Sequence, residues 1–97
     1  MQHDESFWGD AWMRQDGLIL FRSLTFAQRA AHVLERGGFT ATVRKAPQGL
    51  TDRGCTYCVR LRANRISAAL ALLEQRGMEH GRVFVSREDG GWQEVRP

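Results

Sequence analysis

The sequence predicts an α+β domain: a ferredoxin-like two-layer sandwich, βαββαβ, with a four-stranded antiparallel sheet and both helices on one face. Three observations point there. The segments run strand, helix, strand, strand, helix, strand. The two helical patterns end alike, Val33-Leu34-Glu35-Arg36-Gly37 and Leu72-Leu73-Glu74-Gln75-Arg76-Gly77, and a strand follows each, a weak duplication of one βαβ unit. The chain has 97 residues, 42% hydrophobic and 26% charged, which suits one small globular domain and excludes wholesale disorder or a disulfide-dense scaffold.

Residues 1–16 read as an N-terminal extension and residues 17–97 as the domain. The extension holds Phe7, Trp8, Trp12 and Met13 at spacings that fit a short amphipathic helix, weakened by Gly9. These aromatics are expected to fold back over a hydrophobic edge of the domain. Docking onto a partner or a second copy is the alternative. The acidic first ten residues lack the apolar core of a secretory signal, and no apolar run is long enough to span a bilayer. A cytoplasmic protein without membrane attachment is the expectation.

The first strand is the apolar run Leu18 to Phe21, too short for a helix and suited to full burial. Thr25 and Gln28 form a capping-box pair that would start the first helix. Ala27, Ala30, Ala31 and Leu34 give that helix one apolar face of small residues, and Gly37 and Gly38 stop it. Thr40 to Lys45 is the second strand, and Pro47, Gly49, Asp52 and Gly54 make the following segment a loop. Tyr57 to Arg62 alternates, with Tyr57, Val59 and Leu61 on one side and Cys58, Arg60 and Arg62 on the other. Asn64 can cap a second helix carrying Ile66, Ala69, Leu70 and Leu73 inward, closed by Gly77. Val83 to Val85 is the fourth strand. Asp89-Gly90-Gly91 is a turn signal, so Trp92 to Val95 is a short C-terminal edge strand.

Charge is concentrated rather than spread. The net charge is +3, yet the first 17 residues are acidic, and between Arg44 and Arg65 six basic residues face the single acid Asp52. Both cysteines lie in that basic stretch, in Arg53-Gly54-Cys55-Thr56-Tyr57-Cys58. A structural disulfide does not suit a chain without an export signal. A thioredoxin-type pair opens a helix, whereas this one leads into a strand. Zinc needs four ligands, and His3, His32 and His80 form no second spaced pair, so no metal is expected within one chain. Two copies sharing their cysteine pairs could complete a four-sulfur site.

The local sequence favours a stabilised thiolate. Nearby cations lower a thiol's pKa, and Arg53, Arg60 and Arg62 are the candidates, with Gly54 permitting close approach by another molecule. The alternative is two small packed cysteines beside arginines that solvate a sheet face. Cys55, in the loop, is expected to be the more accessible thiol. A nucleic-acid module is disfavoured because the central strands lack an aromatic stacking pair and Tyr57 faces away from Arg60 and Arg62. No enzymatic constellation accompanies the cysteines: Asp52 is a poor base for a thiol and no histidine lies in the loop.

From Leu18 to about Val85 the chain resembles the small bacterial selenium/sulfur carrier protein-like family. The resemblance rests on Leu20-Phe21-Arg22-Ser23 before an alanine-rich helix, Pro47 in the loop, and Gly54-Cys55 leading into Val59-Arg60-Leu61. Leu72-Leu73-Glu74 and the strand after Gly81 complete it. In that family glycine usually follows the loop cysteine; Thr56 stands there here, and Cys58 takes a place that is generally apolar. The resemblance implies that Cys55 accepts a sulfur or selenium atom as a persulfide-type adduct, with Cys58 as a resolving thiol and Arg53, Gly54, Arg60 and Arg62 binding the anion. It implies an acidic protein partner of sulfur or selenium metabolism, no resident cofactor, and a carrier rather than a turnover enzyme. A non-catalytic regulatory or partner-binding module is the alternative.

Overall fold

The computed structural model describes residues 15–50 and 56–96. Arg53, Gly54 and Cys55, and the aromatics Phe7, Trp8 and Trp12, therefore lie outside the described residues. The elements are β1 (Asp16–Phe21), α1 (Leu24–Arg36), β2 (Thr42–Lys45), β3 (Tyr57–Arg62), α2 (Ile66–Gln75), β4 (Val83–Ser86) and β5 (Trp92–Val95), with a 3₁₀ turn (Ala63–Arg65) before α2. They form an α+β domain with one antiparallel five-stranded sheet in the order β2-β3-β1-β4-β5. The fifth strand, added to the four of the βαββαβ core, is the C-terminal edge strand read at Trp92 to Val95. β5 pairs along its whole length with β4, from Val83 opposite Val95 to Ser86 opposite Trp92. Asp89 forms the turn between them by accepting the Gly91 N–H at 2.9 Å.

The core lies between the sheet and both helices. Ile19, Phe21, Val59, Leu61 and Val83 point from the sheet toward Ala27, Ala30 and Leu34 of α1 and Ile66, Ala69 and Leu73 of α2. Alanines along α1 let its backbone settle close to the strands, and each large aliphatic side chain buried here contributes about 1.5–3 kcal/mol. β1 is central and apolar on both faces, which is why its sequence is an uninterrupted apolar run rather than an alternating one.

Both helix starts differ from the sequence expectation. Ser23, not Thr25, caps α1: it is the last extended residue, and its hydroxyl accepts the Phe26 N–H at 3.2 Å. Asn64 does not cap α2. It sits inside the 3₁₀ turn, because Ala63 N–H is tied to the Gln15 carbonyl at 2.9 Å and Ile66 is drawn in against Gly17. A Cβ on Gly17 would lie 2.6 Å from the Ile66 side chain, so the glycine makes room for the first turn of α2. β2 begins at Thr42 rather than Thr40, and β1 at Asp16 rather than Leu18.

Candidate functional site

The strand register divides the basic residues between the two ends of the sheet. Lys45 and Phe21 both stand opposite Tyr57, and the ladder extends one step further through an Ala46 N–H bond to the Thr56 carbonyl at 2.8 Å. The β2–β3 loop therefore leaves and re-enters the sheet at the end where β1 finishes. Cys55 is the residue before Thr56, so it is attached to this end. Arg62 stands at the opposite end, across from Asp16. Arg62 is six residue steps along the strand from Thr56, about 20 Å at ~3.3 Å per residue. Thr56, where the loop re-enters, and Arg62 thus stand at opposite ends of β3. Arg60 is committed to an ion pair with the Asp16 carboxylate, half-exposed at the same far end.

Cys58 is a packed side chain. It is 0% exposed and sits with Leu18, Leu20 and Phe84 on the sheet face away from the helices, where Ala46, Leu50 and Trp92 also pack. Burial pushes the Cys58 thiol up from its ordinary value, against the opposing pull of Arg44 and Arg60. The alternation of Cys58 with Arg60 and Arg62 is as the sequence reads it, but its consequence for this thiol is the reverse of a stabilised thiolate. A resolving thiol has to meet an incoming sulfur, and a fully buried one cannot do so without local opening.

The loop's own fastening came from residues that sequence reasoning passed over. Arg82 donates to the Leu50 carbonyl at 3.3 Å and to both oxygens of Glu94 at 2.8 and 3.1 Å, with its guanidinium over the Phe84 ring. One side chain thus ties the β2–β3 loop to β4 and β5. The Glu94 carboxyl is held below its usual range chiefly by the hydrogen bond from Arg82. A basic residue at the start of a buried strand, two positions from an aromatic on the same side, was the available signal. Next to it, Gly81 donates to the Leu20 carbonyl at 2.7 Å, and a Cβ at Gly81 would lie 3.1 Å from that oxygen. His80 lies at this same end. Its Nδ1 is 2.7 Å from the Gly81 carbonyl, which can only accept, so Nδ1 is the donor.

Among the described residues, no three His, Cys, Asp or Glu side chains are grouped to hold a metal ion, and no helix is long and apolar enough to cross a membrane. No curated protein and no solved structure matches the chain. The family described as "Putative Se/S carrier protein-like" matches residues 16–84, from the first residue of β1 into β4. That span takes in both helices, β1 to β3, the first half of β4 and the cysteine-bearing loop, and the chain belongs to this Se/S carrier protein-like family.

Proposed function

We propose that the chain carries a sulfur or selenium atom on Cys55 and hands it to a partner enzyme. Family membership supports the class of activity. The observation that carries the choice of residue is the burial of Cys58, which leaves Cys55, in a loop anchored on both sides by Thr56 and Leu50, as the thiol for exchange. In the loading step the Cys55 thiolate attacks the terminal sulfur of a donor persulfide. A new sulfur–sulfur bond forms on Cys55, the donor's own sulfur–sulfur bond breaks, and the donor leaves as a thiolate. In unloading, the partner's nucleophile takes the terminal sulfur and Cys55 returns to thiolate. Neither step needs an external oxidant, because the transferred atom keeps its oxidation level. Arg53, one residue from Gly54 and two from Cys55, is the cation assigned to favour the thiolate and the charged adduct.

The test is incubation with a low-molecular-weight persulfide followed by intact-mass measurement. One added sulfur is expected in the natural chain and in Cys58→Ala, and none in Cys55→Ser. Loading that survives Cys55→Ser would overturn the assignment.

A further inference from the structure

A groove of about 440 Å³ opens where the end of β1, the start of α1 and the α2–β4 connection meet. It lies at the sheet end that carries the β2–β3 loop. Phe21, Phe26 and Met78 give it an apolar wall, while Arg22, Arg29 and His80 stand along it. Phe26 is 38% exposed, and it and Leu24 are the exposed large hydrophobic residues among those described. The first turn of α1 thus leaves apolar surface in solvent beside the guanidiniums of Arg22 and Arg29.

Arg60, Arg82 and Arg87 each hold a carboxylate, whereas among the described residues neither Arg22 nor Arg29 has one within ion-pair distance. Arg22 lies over the Phe26 ring, its guanidinium 5.0 Å from the centroid, which fixes it at the groove rather than free in solvent. Glu79 is the one acid on the lining, against two guanidiniums and an imidazole. The volume falls in the range of small-molecule sites, roughly 300–1,000 Å³, and is too small to seat a folded surface.

We propose that this groove binds a small organic anion, its carboxylate or phosphate held by Arg22 and Arg29 and its apolar body laid against Phe26 and Met78. Resting on the carrier reading, the ligand is the low-molecular-weight donor or acceptor that exchanges with the loop thiol. The groove's place at the loop end is what links the two.

The test uses 1-naphthoate as probe, with uncharged 1-naphthamide and inorganic phosphate as the two halves of its chemistry, followed by calorimetry and the Met78 methyl signal. Naphthoate should bind more tightly than either half, and Arg29→Gln should weaken it about tenfold, the factor expected for one lost charge-assisted contact. Phe26→Ala should weaken naphthoate and leave phosphate unchanged. Arg36→Gln, on the same helix away from the groove, is the charge control. Naphthoate binding no better than both halves, or equal losses in Arg29→Gln and Arg36→Gln, would overturn the proposal. Cys55→Ser should bind naphthoate as the natural chain does. Intact binding without persulfide loading therefore defeats the carrier reading alone, and intact loading without binding defeats the groove alone.

Discussion

Arg44 stands directly across the β2–β3 ladder from Cys58, yet the thiol it faces is held in its neutral form. Removing the sulfur from water disfavours the thiolate more than the neighbouring guanidiniums favour it. A cation beside a cysteine therefore does not by itself make a reactive thiol; access to solvent decides the sign. The reactivity proposed for Cys55 therefore requires solvent access as well as the charge of Arg53, two residues away in sequence.

The first prediction follows for alkylation near neutral pH. Cys55 should be labelled in the native protein and Cys58 only when the fold is opened by denaturant. Arg53→Glu should slow labelling of Cys55, and added salt should shrink the difference because exposed charges are screened. Equal labelling of both thiols, indifferent to Arg53→Glu, would make the cysteines ordinary.

Alkaline stability gives the second. The folded pKa of Cys58 is raised, so its contribution to stability is whole below the thiol's ordinary value of 9.0 and is lost as pH rises above it, where the unfolded chain ionises first. Denaturant midpoints measured across that range should fall less steeply in Cys58→Ala than in Cys55→Ala. Parallel curves for the two variants would show that Cys58 is not buried neutral.

Two leucines test the two apolar clusters separately. Leu70 belongs to the core under the helices and Leu20 to the cluster around Cys58. Each change to alanine should cost about 2–5 kcal/mol by denaturant titration, since a buried leucine leaves a cavity that closes only in part. An unchanged midpoint for Leu20→Ala would mean that the face away from the helices is not packed.

Arg82 should report on the loop. Arg82→Gln removes the bonds to the Leu50 carbonyl and to Glu94, so protease should cut the β2–β3 loop faster while the core stays folded. Glu94 titrates lower in the folded state, so the stability it adds is present above 4.5 and is lost as pH falls through its folded value. That acid-side loss should be smaller in Arg82→Gln. A loop no more open to protease than in the natural chain would sink the fastening role.

Much of the architecture is legible in the residues. The run Leu18 to Phe21 announced a central strand, and the alternation from Tyr57 to Arg62 gave both faces of β3 correctly. Gly37 and Gly77 marked both helix ends. What local pattern missed has a tertiary cause: Ser23 caps α1 because β1 stops at Phe21, and the 3₁₀ turn around Asn64 exists because Ile66 must reach Gly17. The site was less legible for the same reason. Arg60 and Arg62 are close in sequence to Thr56, where the loop re-enters, but an extended strand carries them toward the other end of the sheet. Arg22, Arg29, His80 and Arg82 are distant in sequence and reach the loop end only through the register of β1 with β3 and β4.

The most direct measurement is peptide mapping of the protein isolated from its native host, with thiols and persulfides trapped at lysis. The account predicts an extra sulfur or selenium on the peptide bearing Cys55, and Cys58 recovered as an unmodified thiol that becomes accessible only after unfolding. An extra atom on Cys58, or a Cys55–Cys58 disulfide as the recovered form, would contradict it.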